Sequence, residues 1–317
     1  MLGNGNGIDI ESFPDTQKLY YKATSKVTPG SGSLGADVTF NKWNSITGEG
    51  VIVCNSAITT INDRAFDGCS SLTSITIPNG VTSIGIYAFQ NCTGLTSIII
   101  PEGVTSIGQN AFIFCKSLTS ITIPNGVTSI EYRTFERCEK LKTIELPKSI
   151  TTIEQDAFAY CLNLTNITIP NSVTNISPGA FQNCLRLTSI TIPESVTSIS
   201  YQGFFNCSSL TSVIIPNSVT VIGNEAFKYC SSLTTISIPN SVTAIGMSAF
   251  SDCTSMQHYD FSTHELIPTL YSNVFYKIPS TCKIIVPDAL YDNWIVADNW
   301  SSYASKIIKK SDWDAQN

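Results

Sequence analysis

Cysteine is the residue type here with the widest chemistry, because a thiol can serve as nucleophile, metal ligand or disulfide partner. The chain has eleven cysteines, and nine of them recur every 23 residues. The nine are Cys69, Cys92, Cys115, Cys138, Cys161, Cys184, Cys207, Cys230 and Cys253. If successive units stack in register, neighbouring side chains lie about 4.8 Å apart, beyond the Cβ separation of about 3.5–4.5 Å that a disulfide prefers. We therefore expect the repeated cysteines to be unpaired and to act as small buried hydrophobic side chains. Disulfides and metal ligation are the alternatives.

Histidine chemistry is restricted to two residues, His258 and His264. No Cys-x-x-Cys motif accompanies them, so a zinc site is not expected. The chain also lacks the Gly-x-Ser-x-Gly, Walker-type Gly-x-x-x-x-Gly-Lys and His-Glu-x-x-His motifs. A Ser-His or Cys-His nucleophile would have to use one of these two histidines. The sequence therefore predicts a protein that is not an enzyme, with no catalytic residues, no metal site and no cofactor.

The charge and hydropathy patterns argue against two further classes of function. The chain has 18 Lys and Arg against 24 Asp and Glu, a formal net charge of −6, without a basic cluster. A nucleic-acid-binding protein needs many clustered basic groups to release counterions. The longest apolar runs, such as residues 96–101, fall far short of the roughly 20 residues that span a bilayer. We expect neither a nucleic-acid partner nor a membrane span.

The 23-residue interval extends well beyond cysteine, and it determines the architecture. A repeat reads Ala-Phe-x-x-Cys-x-x-Leu-Thr-x-Ile-x-Ile-Pro-x-x-Val-Thr-x-Ile-Gly. The phenylalanines of this pattern are Phe66, Phe89, Phe112, Phe135, Phe158, Phe181, Phe204, Phe227 and Phe250. Since no insertion breaks the register from Phe66 to Phe250, the sequence predicts a solenoid of about ten coils rather than two globular domains.

Each coil contains a short strand, a turn and a second extended stretch. Residues 72–78 alternate apolar and polar side chains, which predicts a strand with Ile75 and Ile77 pointing inward. Pro78 ends its hydrogen-bond ladder. A second extended stretch at 81–84 follows, and the spacing of Ala-Phe-x-x-Cys predicts one helical turn. The fold class is α/β leaning to β, with parallel strands stacked in register.

The two ends depart from the repeat and predict caps, as solenoids require. Residues 1–50 form an N-terminal segment and cap, residues 51–289 the leucine-rich repeat solenoid, and residues 290–317 a C-terminal helical cap. Counting back 23 residues begins a half-coil near Val51 and places Cys54 in the position of Ile77. A helical spacing characterises Leu290, Trp294, Ala297, Trp300, Ala304, Ile307 and Ile308. The Gly-rich residues 3–7 and 29–35 are expected to be mobile.

The unit Leu-x-x-Ile-x-Ile-Pro-x-x-Val-x-x-Ile-Gly-x-x-Ala-Phe-x-x-Cys resembles the 23-residue leucine-rich repeat of the BspA-like family of bacterial and protist surface proteins. The resemblance covers about residues 50–290. It implies a right-handed leucine-rich-repeat solenoid and a secreted or surface-attached binding protein, without naming a ligand. The repeat carries Gly80 or Ser149 where the common leucine-rich pattern has Asn, so an Asn ladder is not expected.

Two groups of side chains depart from the Ser- and Thr-rich surface of the average coil. One coil concentrates charge of both signs, and aromatic residues precede several cysteines of the repeat. Aromatic and Arg side chains are favoured anchors of interfaces, and the alternative is scatter at positions free to vary. The candidate partner-binding residues are Arg133, Arg137, Lys140, Lys142, Glu136, Glu139, Glu145, Phe114, Tyr160 and Tyr229.

The predicted function is a non-enzymatic binding scaffold at the cell surface or outside the cell. It would mediate protein–protein interaction or adhesion, with a host or microbial surface protein as the possible partner. A glycan-binding solenoid and a structural spacer are the alternatives. Residues 1–7 show no signal peptide, so a cytoplasmic location stays open, although the family resemblance favours export.

Overall fold

The computed structural model describes residues 9–30 and 32–316. They form two compact units, one comprising the residues up to Ile150 with Tyr160–Leu162, the other Thr151–Ala159 and the residues from Asn163 onward. The fold is a β-solenoid of about 11 turns with few helices, which confirms the predicted class. The Gly-rich residues 3–7 lie outside the described residues, as does Ser31.

The strands are short, and most coils contribute two. In chain order they are β1 (Lys18–Ala23), β2 (Val38–Trp43), β3 (Glu49–Cys54), β4 (Thr60–Ile61), β5 (Leu72–Thr76), β6 (Ser83–Ile84), β7 (Ser97–Ile99), β8 (Ser106–Ile107), β9 (Ser120–Thr122), β10 (Ser129–Ile130), β11 (Thr143–Glu145), β12 (Thr152–Ile153), β13 (Asn166–Ile167), β14 (Asn175–Ile176), β15 (Ser189–Thr191), β16 (Ser198–Ile199), β17 (Ser212–Ile214), β18 (Val221–Ile222), β19 (Thr235–Ser237), β20 (Ala244–Ile245), β21 (His258–Asp260), β22 (Thr269–Leu270), β23 (Lys283–Val286) and β24 (Ile307–Lys309). The α-helices are α1 (Tyr291–Trp294) and α2 (Lys310–Asp314), and 3₁₀ turns lie at Ile10–Ser12, Asp15–Gln17, Asp288–Leu290 and Ser301–Lys306.

The strands of the repeat form two rows. In the first unit the rows are the odd-numbered strands from β5 to β11 and the even-numbered strands from β4 to β10, and in the second unit they are the odd-numbered strands from β13 to β23 and the even-numbered strands from β12 to β22. Strands β5 and β7 are parallel, with Ile75 beside Ile98, and β18 and β20 place Ile222 beside Ile245. Each of these pairings joins residues 23 apart, as the constant period predicted.

Stacked phenylalanines form the interior of both units. In the first unit the ring centroids of Phe66, Phe89 and Phe112 are 5.2 and 5.3 Å apart, and the planes lie within 6° of parallel. In the second unit Phe181 and Phe204 stack at 5.5 Å. These side chains are fully buried. The repeat therefore builds its core from one side-chain column per position, each coil packing on the next.

The Ala-Phe-x-x-Cys segment is a pair of tight turns and not the helical turn that its spacing predicted. In the first complete coil Cys69 N donates to Phe66 O of the same coil, whereas Phe66 N donates to Ala88 O of the next coil. Arg64 and Gly68 flank Phe66 with φ of 56° and 74°. Left-handed residues interrupt a right-handed helix, and here they leave alternate N–H groups to bond the neighbouring coil.

The N-terminal cap contains a strand that the repeat pattern did not reveal. Strand β1 lies between β3 and β5 and is antiparallel to both, with Leu19 beside Ile52 and Tyr21 beside Ile75. The half-coil expected from Val51 is therefore only partly confirmed. Its second strand β4 stacks on β6 with Ile61 beside Ile84, whereas β3 pairs with β1 and β2. The physical reason is that β1 occupies the open edge of β5, where β3 would have paired.

The C-terminal cap combines short helices with one more strand. Helix α1 has four residues, and the helical spacing predicted through Ile308 ends at Lys306. Strand β24 instead extends the first row, placing Ile307 beside Ile284, again 23 residues apart. Trp294 and Trp300 are buried with their ring centroids 5.2 Å apart. These two indoles supply the bulk that closes the last coil.

Candidate functional site

The cysteine column is a hydrogen-bonded part of the core. Cys92 Sγ donates to Phe66 O at 3.1 Å, Cys115 Sγ to Phe89 O at 3.1 Å, and the later coils repeat this contact to the preceding coil. All eleven cysteines lie in the described part of the chain, where they form no disulfide. Burial raises the pKa of Cys207 to about 12. Such thiols are poor nucleophiles and poor metal ligands, and the column therefore serves packing.

The two histidines also lack the surroundings of a reactive site. His264 is buried beside Trp294, and its Nδ1 lies 3.2 Å from Phe261 O. His258 packs on Trp313 with 4.8 Å between ring centroids. Burial lowers the pKa of both. Within residues 9–30 and 32–316 no three His, Cys, Asp or Glu side chains are placed to share a metal ion.

Many of the candidate side chains project from positions with left-handed backbone. The residue before the column cysteine has φ near 60° in successive coils, and this residue is Asn91, Phe114, Arg137, Tyr160, Asn183, Asn206, Tyr229 or Asp252. Asn and Asp tolerate this conformation better than bulky residues do. Phe114, Arg137 and Tyr160 therefore occupy three consecutive coils at positions where backbone preference alone would select Asn.

These three consecutive side chains form one cluster. The guanidinium carbon of Arg137 lies 4.3 Å from the ring centroid of Tyr160 and 5.8 Å from that of Phe114. Both rings are partly exposed, and the Arg137 side chain keeps 38% of its surface exposed. A guanidinium stacked on aromatic rings is attracted by their π-electrons. The cluster thus joins the charged coil to the aromatic residues that precede the cysteines, which the sequence pattern indicated as two separate groups.

A carboxylate is held at the edge of this cluster. Glu136 Oε2 lies 3.1 Å from Arg133 Nε, and Glu136 Oε1 lies 3.8 Å from Arg137 Nε. The Glu136 side chain is only 12% exposed. Arg133 also stacks on Tyr132, with 4.8 Å from Cζ to the ring centroid. We call Phe114, Tyr132, Arg133, Glu136, Arg137 and Tyr160 the Arg137 patch.

An ion pair between neighbouring coils lies in the same unit. Lys116 Nζ is 3.1 Å from Glu139 Oε1. Lys116 and Tyr132 were not among the predicted site residues, although Lys116 and Glu139 are 23 residues apart and so face each other in the repeat. The same spacing relates Phe114, Arg137 and Tyr160. Reading the variable columns at the period of the core would have revealed both contacts.

The remaining candidates lie outside the Arg137 patch. Lys140, Lys142 and Glu145 are exposed further along the same coil, and Glu145 belongs to strand β11. Tyr229 belongs to the second unit, where its ring meets Phe205 edge-on at 5.4 Å between centroids. The ten predicted residues are therefore not one site: five of them meet in the Arg137 patch.

Comparison with known families assigns the repeat. A model of the BspA type leucine-rich repeat region, with six copies, matches residues 59–187 and 174–293, which is more than half of the chain. The chain belongs to the BspA-type leucine-rich repeat family. The BspA-type repeat is a non-catalytic type of scaffold, and no enzyme family is indicated. No curated protein compared with the chain matches it.

Solved structures of bacterial leucine-rich repeat proteins are similar to this BspA-type chain. A protein of T. pallidum is 29% identical over 56% of this chain and 73% of its own, with a TM-score of 0.40. One of Bacteroides ovatus is 26% identical over 80% and 88%, with a TM-score of 0.40. A leucine-rich cell surface protein of Faecalibacterium prausnitzii is 28% identical over 82% and 86%, with a TM-score of 0.43.

The helices of this BspA-type chain are too short for a bilayer. In the part of the chain that the structure describes, none has the length and apolar character needed to cross a membrane.

Proposed function

We propose that this chain is a secreted or cell-surface scaffold that binds a protein ligand through the Arg137 patch. The single observation that carries the proposal is the Arg137 guanidinium, which lies between Phe114 and Tyr160 with Glu136 at its edge. Arg and Tyr dominate the energetically important centres of protein interfaces. Stacking restricts the guanidinium before a partner arrives, so less conformational entropy is lost on binding.

The arrangement favours a protein ligand over a glycan at this position. The Arg137 guanidinium lies between Phe114 and Tyr160, so a sugar stacked between these two rings would have to displace it. Charges of both signs meet here, with Arg133 and Arg137 around Glu136. Such a mixed patch complements the charge pattern of a protein surface and sets the rate and specificity of encounter.

Membership in the BspA-type family supports a place at the cell surface and a role in adhesion to a host or microbial protein. A structural spacer would have variable positions without clustering, whereas here three consecutive coils carry Phe114, Arg137 and Tyr160 in contact. The clustering therefore supports a binding module over a spacer.

The proposal is tested by surface plasmon resonance against a panel of purified extracellular-matrix and microbial surface proteins. The test variant reverses the charge of Arg137, Lys140 and Lys142 to Glu, and Lys228→Glu, in the second unit, is the matched control. We expect the triple variant to associate more slowly with a ligand, most strongly at low ionic strength, because charges near an interface steer encounter. The control should bind like the parent protein.

Two results would contradict this function. One is a protein ligand that binds the triple variant at the parental rate in low salt. The other is the absence of binding to every protein in the panel, accompanied by binding to polysaccharide that does not change when Arg137 is replaced by Asn. Asn is a natural occupant of the equivalent position in other coils, so Arg137→Asn is not expected to disturb the fold.

A further inference from the structure

A cleft in the second unit lies apart in sequence from the residues of the Arg137 patch. It has a volume of about 460 Å³ and spans three consecutive coils. Its lining consists of Lys228, Tyr229, Ser248, Ser251, Asp252, Asn273, Tyr276 and Lys277. Tyr229 N donates to Ser251 O, and Asp252 N donates to Tyr276 O, so backbone hydrogen bonds fix the order of the three coils. The lining is therefore part of the rigid repeat.

Two tyrosine rings line this cleft and stay partly exposed, with a neighbouring lysine over each: Lys228 Nζ lies 5.3 Å from the Tyr229 ring centroid, and Lys277 Nζ lies 5.2 Å from that of Tyr276. Tyr229 is 40% exposed and Tyr276 is 53% exposed. The edge-on contact with Phe205 holds the Tyr229 ring in place. One coil separates the two tyrosines, which corresponds to about 10 Å between them at the usual strand spacing. Tyrosine suits such a position because its ring packs against apolar groups while its hydroxyl bonds polar ones.

The charges in and beside the cleft cancel. Lys228 Nζ lies 2.8 Å from Glu225 Oε1, and Lys277 Nζ lies 3.5 Å from Asp252 Oδ1. Asp252 also accepts a hydrogen bond from Ser251 Oγ at 2.7 Å, and its side chain is 13% exposed. With two cations and two anions, the site attracts neither anions nor cations strongly. Carboxylate, hydroxyl and amide groups remain as short-range partners for hydroxyl groups.

We infer that this cleft, between Tyr229 and Tyr276, is a binding site for a neutral saccharide. Sugar C–H groups would pack on the part of each ring that its lysine leaves exposed, and Asp252, Asn273 and Ser248 would exchange hydrogen bonds with sugar hydroxyls. The combination of aromatic walls with a few convergent polar groups is what small-ligand sites generally use. The neutral balance of charge selects uncharged sugars over sulfated or sialylated ones. This inference does not depend on the protein ligand proposed for the Arg137 patch.

The test uses the full chain on an array of neutral, sialylated and sulfated oligosaccharides, followed by calorimetric titration with the neutral oligosaccharide that gives the strongest signal. The test variant combines Tyr229→Asn with Tyr276→Ser, because Asn occupies the position of Tyr229 in other coils and Ser251 that of Tyr276 in the preceding coil. We expect at least about a tenfold loss of affinity, equivalent to about 1.4 kcal/mol.

Matched controls separate this site from general surface effects and from the proposed function. Tyr271→Ser removes a tyrosine that is 55% exposed but outside the cleft, and Arg137→Asn alters the Arg137 patch. Both should bind the saccharide like the parent chain. The inference is overturned if no neutral saccharide binds, if only sulfated or sialylated chains bind, or if the double variant binds like the parent. A protein ligand lost in the double variant, without saccharide binding, would reassign the cleft.

Discussion

At the scale of single residues, the thiols show how a reactive group becomes structural. From Cys92 to Cys253 each column thiol donates to the carbonyl of a phenylalanine one coil earlier, as Cys230 does to Phe204 at 3.3 Å. A disulfide would remove that donor, since it has no S–H group. The Phe204 carbonyl would keep only the bond from Cys207 N, so the loss of one of its two hydrogen bonds adds to the spacing in favouring the reduced state.

The first prediction concerns thiol reactivity. In the native protein at pH 8 the column should react with an aromatic disulfide reagent far more slowly than after denaturation, because the thiolate is the nucleophile and burial raises the pKa of Cys207 and of Cys253 to about 12. Unreduced protein in denaturant should titrate close to eleven thiols. A count near one or three would show that the column is paired.

Also at the scale of single residues, the left-handed backbone of the Arg137 patch costs conformational free energy. A non-glycine residue in this conformation loses about 1–2 kcal/mol relative to right-handed backbone, and short polar residues lose less. Tyr160 has φ of 59° and Arg137 has φ of 58°. Arg137 and Tyr160 therefore stand at positions where Asn would cost the backbone less, which is consistent with a role for their side chains in binding.

The second prediction compares the strain of the left-handed backbone with the contact that the side chain makes. Tyr160→Asn should change the free energy of unfolding by less than about 1 kcal/mol, because relief at the left-handed residue offsets a lost cation–π contact of about 0.5–1 kcal/mol. The reverse substitution Asn91→Tyr, at φ of 57°, should destabilise by about 1 kcal/mol. Urea denaturation measures both. A loss above about 2 kcal/mol in Tyr160→Asn would show that the ring is part of the core.

At the scale of the coil, stability depends on columns more than on the short strands. Strands of two or three residues supply few hydrogen bonds by themselves, whereas each phenylalanine contacts the rings before and after it. Phe112 lies 5.3 Å from Phe89 and 5.6 Å from Phe135, with planes within 2° of parallel. The loss of one ring thus affects two neighbouring coils.

The third prediction compares an inward and an outward position. Phe112→Ala should lower the free energy of unfolding by about 3–5 kcal/mol, because it leaves a cavity in close-packed core. Thr122→Ala, at an exposed position of strand β9, should cost less than about 0.5 kcal/mol. Thermal or urea denaturation would show the difference, and equal stability of the two variants would contradict the register of the columns.

The fourth prediction concerns the C-terminal cap and pH. Burial, as the largest effect, holds the pKa of His264 below that of an unfolded histidine, which is about 6.5. The neutral form is therefore favoured in the folded cap, and its stabilisation is present above pH 6.5 and lost as pH falls. Unfolding followed by tryptophan fluorescence should occur more readily at pH 5 than at pH 7, since Trp294 adjoins His264.

Histidine variants provide the control for this pH effect. His264→Phe should flatten the dependence between pH 7 and pH 5, because the position no longer titrates. His258→Asn should reduce it less, because burial lowers the pKa of His258 too but this side chain is only partly buried and lies in strand β21. A parent protein whose tryptophan transition does not change between these pH values would contradict the assignment.

At the scale of the whole molecule, the ends of the repeat need protection. A solenoid exposes a core slice and an unpaired strand edge at each end, and such edges favour self-association. Strand β1 covers β5 at one end, burying Leu19 and Tyr21 while leaving Tyr20 exposed. At the other end β24 covers β23, and the two buried tryptophans pack on Phe261.

The fifth prediction tests the N-terminal cap with two adjacent residues. Leu19→Asp should detach β1 from the sheet, because an unpaired buried carboxylate is costly, and the exposed edge of β5 should cause oligomers. Tyr20→Asp, on the solvent side of the same strand, should leave the chain unchanged in association. Size-exclusion chromatography with light scattering measures both. Equal behaviour of the two variants would contradict the role of β1 as the cover of this edge.

The sequence alone determined the repeat, the two rows of strands and the columns of Phe, Cys, Leu and Ile. It could do so because residues 23 apart occupy equivalent environments, so periodicity in the sequence is periodicity in space. The pairing of Ile75 with Ile98 follows from this one number, whereas Ile307, predicted in the helical cap, lies in a strand beside Ile284. Even the contact of Arg137 with Phe114 and Tyr160 was readable from it.

Only the tertiary structure decided the features that depend on contacts outside the period. The insertion of β1 between β3 and β5 joins segments whose separation no repeat encodes. The turn around Phe66 is left-handed at Arg64 and Gly68, and its N–H groups alternately bond the next coil and their own. When the neighbour of a residue belongs to a distant segment of the chain, or depends on the direction of the backbone, the spacing of side chains in the sequence does not predict it.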